Sequence, residues 1–386
     1  MSGVRLSRRA AAEDTLNAIS RTRAALEEDG VGLLELSDSN PTRHGLLDPG
    51  VSEVLARAAS LSSGYDPDPR GPVAARAALA ARFGGGPDDY WLTAGTSEAY
   101  GWLFSLLTDP GEAVAIPRPG YPLLEPLARL AGTELDDYPA YYLHPHGWEY
   151  DLDALAGSLA RPSTRAAVVV NPNNPTGAFA DQAETIIELC REHDSHLVVD
   201  EVFAHFPLDA REPRSLAGTS DVLTFALDGL SKLLAAPHLK LGWIRVSGPA
   251  ADVARVAPVL DRIADAYLPV SGPTAAALPR LLELADASVE LTLARLRTNL
   301  AAATTILGDP PYRVRRSGGG WTVLVDVPRV LPDDDLILAL LRDHHLAVQP
   351  GWFYDLDTPG TLALSLLPAD FPDRARRLKS ALEALA

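Results

Sequence analysis

Ala166-Ala-Val-Val-Val-Asn-Pro-Asn-Asn-Pro-Thr-Gly177 passes from five consecutive apolar residues into a turn built from two Asn-Pro steps and a glycine. An unbroken apolar run of that length fits a strand buried on both faces, as in parallel sheets covered by helices. The turn then falls at the carboxyl end of the strand, where open α/β sheets bind ligands. An asparagine amide held rigidly there can donate to a ligand oxygen. Residues 181–193 follow with helical periodicity, and Asp181-Gln-Ala-Glu184 has the spacing of a capping box. Residues 196–202 return as a second apolar strand.

The same alternation extends outward from this unit. Strands are expected at 91–94, 113–117, 134–142, 166–170, 196–202, 222–227 and 241–246, with helices at 97–107, 123–131, 152–159 and 181–193. That pattern predicts an α/β fold around a large, mainly parallel sheet. Upstream, residues 10–28 read as a polar helix, 33–36 as a short strand and 73–83 as an alanine-rich helix. After Pro249 the pattern changes to a long helical stretch, interrupted at 268–273, and then an α+β tail. The expected organisation is a large domain over residues 46–275 and a smaller domain from 1–45 plus 276–386.

At 386 residues the chain has room for about two domains with full cores. A net charge of −17 argues against nucleic acid or an anionic membrane surface as partner. The single cysteine, Cys190, excludes intrachain disulfides and thiolate metal clusters, and its helical surroundings read as core. His144-Pro-His146 and His344-His345 lack the further ligands of a zinc site, so no metal is expected. No apolar run of about 18 residues occurs, and Arg8-Arg9 is not followed by an apolar leader segment, which points to a cytoplasmic protein.

Three strand ends carry chemistry. Asp228-Gly-Leu-Ser-Lys232 places a lysine on a tight connection between two strands, where a buried neutral amine can attack a carbonyl. Leu197-Val-Val-Asp200 ends a strand on a carboxylate, which when buried needs a cationic partner. Thr93-Ala-Gly-Thr-Ser97 leads a strand into a helix start, a ready anion site. Each has an ordinary structural reading when taken alone: a surface lysine, a capping aspartate, a plain connection.

Taken together, Asn-Asn-Pro-Thr-Gly177, Val-Asp200-Glu and Ser-Lys232 occur in the order and approximate spacing of the class I/II aminotransferases, which the chain resembles from about Asn40 to its C-terminus. The resemblance implies the three-layer fold of the pyridoxal 5′-phosphate (PLP)-dependent transferases, fold type I, and PLP as cofactor. Lys232 then forms the Schiff base and shuttles the substrate proton, while Asp200 pairs with the ring nitrogen. Asn174 bonds the ring 3′ oxygen and Tyr121 lies against the ring face. The phosphate meets Gly95, Thr96, Ser97, Lys240 and, as a further contact, Ser231. Tyr65 matches a tyrosine reaching the neighbouring subunit's phosphate, so the resemblance implies a homodimer with shared sites.

Three positions depart from the family pattern. Lys240 stands for an arginine, which keeps the charge and loses the bidentate fork. Phe203 stands for a tyrosine that donates to the 3′ oxygen. Ala363 stands where an arginine clamps the substrate carboxylate. Arg43 is a candidate substitute cation, and Asn40 a candidate wall of the substrate cavity. The first expectation is an aminotransferase exchanging an amino acid or related amine with a keto acid. The alternative is PLP-dependent elimination, replacement, decarboxylation or condensation, which the missing arginine favours. A non-enzymatic relative is opposed by the joint presence of Lys232, Asp200 and Asn174.

Overall fold

A computed structural model describes residues 7–10, 17–61, 64–65, 67–210 and 214–386. Helix α1 (Ala18–Glu28) starts where the Asn17 side chain accepts from Ser20 N, not near residue 10, and residues 11–16 of that expected helix lie outside the described residues. Strand β1 (Leu34–Glu35) and helices α2 (Gly50–Leu61) and α3 (Val73–Phe83) follow. The alternating region then comprises β2 (Tyr90–Thr93), α4 (Thr96–Leu107), β3 (Ala113–Arg118), α5 (Leu124–Ala131) and β4 (Glu134–Leu143). It continues through β5 (Gly147–Tyr150), α6 (Leu152–Leu159), β6 (Thr164–Val170), α7 (Ala183–Glu192), β7 (His196–Asp200) and β8 (Thr224–Gly229). A single helical turn, α8 (Leu230–Leu233), connects to β9 (Gly242–Ser247).

These strands form one eight-stranded sheet in the order β2-β9-β8-β7-β6-β3-β4-β5. Its centre, from β8 to β4, is parallel, while β9, β2 and β5 pair antiparallel, so the sheet is mixed at its edges. His144-Pro-His146 is the β4–β5 connection, too short for a parallel crossover, which accounts for that antiparallel edge and for the two imidazoles. The central strands are apolar because both faces are covered. Ile186 and Cys190 of α7 pack on Val169, Leu197 and Val199 from one side. Phe104 and Leu103 of α4 pack with Val168 and Phe225 from the other. Each such fully buried side chain contributes roughly 1.5–3 kcal/mol. Cys190 is a core thiol, its pKa pushed up to about 12 by burial.

Helix α7 begins one residue later than the capping box expected at Asp181 requires. Gln182 occupies the N-cap without a side-chain bond, so Asp181 stands one position too early.

Beyond the sheet lie α9 (Ala250–Tyr267), α10 (Gly272–Leu282) and the long α11 (Ala285–Leu307). The tail adds β10 (Arg313–Val314), β11 (Thr322–Asp326), α12 (Asp333–His344), β12 (Leu346–Ala347), β13 (Gln349–Pro350), β14 (Thr361–Ser365) and α13 (Phe371–Leu385). Four of these strands make an antiparallel sheet, β10-β11-β14-β13. The N-terminal segment joins this end of the molecule, because β1 pairs parallel with β12 and Leu36 N donates to Ala347 O at 2.8 Å. His345 caps α12 in the left-handed region, φ 53°, rather than forming half of a metal pair. Among the described residues no group of His, Cys, Asp and Glu is arranged to hold a metal, and no helix is long and apolar enough to cross a membrane.

Candidate active site

The carboxyl ends of the parallel strands open into a cavity of about 280 Å³ that also touches β11. It brings together Gly95, Thr96, Ser97, Tyr121, Asn174, Asp200, Ser231, Lys232 and Lys240. Three kinds of local structure place them. The Asn-Pro loop after β6 bonds to itself: Ala180 N donates to the Asn171 side chain at 3.0 Å, and Thr176 Oγ1 to Asn173 Oδ1 at 3.1 Å. With Asn171 and Asn173 committed to the loop, Asn174 is the asparagine left lining the cavity.

Lys232 sits within α8, a helical turn where a tight loop was expected, and its side chain is half-buried. Its Nζ lies 5.3 Å from the ring centre of Phe203 and 4.9 Å from that of Trp321. Burial lowers the amine to a pKa of about 8, with Asp200 pulling the other way. Asp200 ends β7 at 3% exposure, and burial raises its carboxyl to about 7. Val202 N at 3.2 Å and Tyr100 Oη at 3.1 Å donate to it and only partly offset that rise. Such a carboxylate is matched by a ligand that brings a cationic N–H, since pairing would repay the desolvation.

Another part of the cavity lining suits an anion. Helix α4 begins at Thr96 after Gly95, whose φ of 138° is a conformation that L side chains rarely adopt. The first N–H groups of that helix point out of its end. Lys240 Nζ stands 3.9 Å from where a Cβ on Gly95 would lie. Gly242 lets β9 pass close behind: a Cβ there would be 2.9 Å from Asp228 O and 3.1 Å from Gly95 Cα. Tyr121 shares a side-chain hydrogen bond with Ser97, and burial raises its phenol pKa. An amine beside aromatic rings, a buried acid and a helix start with a lysine together fit the aldehyde, ring nitrogen and phosphate of PLP.

A sequence profile of the family "Aminotransferase class I and II" matches residues 49–374. The chain belongs to the class I and II aminotransferases. It is 30% identical to an alanine aminotransferase of Mycobacterium tuberculosis (strain ATCC 25618 / H37Rv), covering 94% of this chain and 86% of that one. Its fold matches an alanine aminotransferase from Pyrococcus furiosus with a TM-score of 0.88 at 24% identity over 98% and 100% of the two chains. An aspartate aminotransferase of Thermus thermophilus, a double mutant, matches with a TM-score of 0.81 at 26% identity over 99% and 98%. Enzymes of this family and fold are PLP-dependent, and this chain is a PLP-dependent aminotransferase. None of these similarities favours elimination, decarboxylation or condensation.

Three expected residues lie apart from the cavity in the single chain. The Asn40 side chain is turned to its own backbone, accepting from Thr42 N at 3.2 Å as the cap of a short 3₁₀ helix. Arg43, on that helix, is 68% exposed and faces Asp38 at 3.5 Å. Tyr65 is 76% exposed. Ser39, one residue before Asn40, lines the cavity instead. Thr322 and Tyr354 of the wall, and Tyr100 bonded to Asp200 behind it, were not expected as site residues. Trp321, for which core packing was the stronger expectation over a pocket wall, does both. Tyr100 could have been found one helical turn beyond Thr96, and Trp321 by its place at the start of β11. The Ala363 position is apolar in its surroundings, packing with Leu324 and Leu356 and, half-buried, Trp148 and Tyr354.

Proposed function

We propose that Lys232 holds PLP covalently and moves the proton from the Cα of a bound amino donor. The observation that carries this reading is the meeting of half-buried Lys232 and buried Asp200 in one cavity that also takes in the α4 N-terminus and Lys240. PLP supplies an electrophilic carbonyl and a sink for the electrons of the donor's α-carbon. Asp200 keeps the ring nitrogen protonated, with Tyr100 fixing its carboxylate. Asn174 meets the 3′ oxygen, Tyr121 supports the ring, and Gly95, Thr96, Ser97, Ser231 and Lys240 hold the phosphate.

The donor is an amino acid or related amine and the acceptor a keto acid, in keeping with the names of the relatives. Because Ala363 lies in an apolar cluster, β14 offers no cation there, and a donor carboxylate must be met elsewhere. The enzyme works as a homodimer, with exposed Tyr65 offered to the neighbouring site. Its large domain spans 46–275 and its smaller one 1–45 plus 276–386, supported by the β1–β12 pairing. Its lone buried thiol suits the reducing cytoplasm.

Borohydride reduction of the PLP-loaded protein, followed by peptide mapping, is expected to fix the label on Lys232. An amino acid and amine panel is expected to bleach the visible absorption and a keto acid to restore it. A label on another lysine overturns the assignment.

A further inference from the structure

The ends of β7 and β8 are tied together a second time, behind the active site. The last ladder bond between them runs from Glu201 N to Leu227 O at 2.9 Å. Beyond it one chain turns through Phe203 and the other enters α8 with Lys232. Asp228 spans that divergence. Its Oδ1 accepts from Gly229 N at 2.6 Å, and its Oδ2 lies 2.8 Å from His205 Nε2. Side chains alternate along strand ends, so neighbours in sequence face opposite ways. Asp200, Phe203 and Lys232 line the active-site cavity, whereas Glu201, His205 and Asp228 line a separate one of about 370 Å³ with Phe83, Trp243 and Arg245.

We propose that the His205–Asp228 pair is a positioning device: it holds α8 at a fixed depth against the Asp200 turn and so shields the Lys232 amine from water. His205 and Asp228 are positioning residues, since neither lines the active-site cavity. The pair is largely buried, with side chains 20% and 11% exposed, where a hydrogen-bonded charge pair is stronger than at a surface. Glu201 does not compete for the imidazole, being held by Ser215 Oγ at 2.6 Å and Leu216 N at 2.8 Å. Arg82 with its partner Asp286, the rings of Phe83 and Phe206, and Glu201 also surround His205, and Tyr90 and Arg245 line the same cavity. Burial pushes the imidazole pKa down, the Asp228 charge and bond push it up, and the net change is upward. The charged pair is therefore intact on the acid side and weakens as pH rises through that raised value.

The inference rests on the reading of Lys232 as the PLP lysine, and its test separates the two. In cofactor-free protein the Lys232 pKa is measured by amine labelling against pH, alongside PLP affinity and denaturant stability. His205→Ala is expected to raise the Lys232 pKa by about one pH unit and to weaken PLP binding about tenfold. His205→Gln, whose amide can still donate to Asp228, is expected to restore both to within about twofold. Asp228→Asn keeps an acceptor for Gly229 while discharging the pair, and is expected to flatten the pH dependence of PLP affinity. The proposal is overturned if His205→Ala lowers stability alone, if His205→Gln is as impaired as His205→Ala, or if Asp228→Asn leaves the pH profile unchanged. A wild-type protein that takes up no PLP on Lys232 overturns the functional reading, and the positioning role with it.

Discussion

The Lys232 amine can be pushed in two opposite directions, and the structure states which change does which. Burial takes its pKa from 10.5 to about 8, while the charge of Asp200 opposes the fall. At pH 8 about half of the amine is then neutral, against roughly 0.3% for an unperturbed lysine, a difference worth roughly 3 kcal/mol. Phe203→Ala removes one of the two rings beside Nζ and admits water, so the pKa is expected to rise toward its ordinary value. Asp200→Asn removes the attracting charge and is expected to lower it below about 8. Phe203 is only half-buried, so the first variant is expected to fold. The assay is the rate of labelling of Lys232 by a small amine reagent in cofactor-free protein, followed by mass spectrometry between about pH 6 and 11, a range bracketing both limits. A wild-type value near 10.5, or a shift of both variants in the same direction, would refute the balance of burial and charge argued here.

Three further outcomes follow from the same geometry. Asp200, raised from 3.8 to about 7, binds its proton more tightly folded than unfolded, so cofactor-free protein should lose stability as pH rises across that window; Asp200→Asn should lose less, by urea denaturation at both ends. Phe203→Tyr adds a phenol donor beside Lys232 and should lower the pH midpoint of the loaded protein's visible absorption, equal midpoints counting against it. Ala363→Arg sets a guanidinium among Leu324 and Leu356 and should raise kcat/KM for α-amino acids about tenfold relative to the matched amines, at some cost in stability. No change in that ratio would mean that donors do not approach β14.

What could be read from the chain alone was whatever a strand end and its turn decide locally. Asn174, Asp200 and Lys232 each follow an apolar strand within a few residues, and parallel strands bring their carboxyl ends together at one edge of the sheet. Gly95 to Ser97 obey the same rule through the start of α4. The wall around the donor comes instead from β11 and the segment near Tyr354, far along the chain, and only tertiary packing brings Trp321, Thr322 and Tyr354 there. Tyr100 meets Asp200 across 100 residues for the same reason. In the single chain the Asn40 carboxamide caps a 3₁₀ turn and Ser39 lines the cavity, a local hydrogen bond that the loop sequence did not disclose. The same alternation separates Asp200 from Glu201 and Asp228 from Gly229, while the turn of α8 brings Lys232 to the cavity. A strand end that builds one site therefore builds a second surface behind it, and His205 and Asp228 occupy that surface. Residues that never line the site can in this way govern the depth of the lysine that does, through a bond that no reading of either strand alone contains.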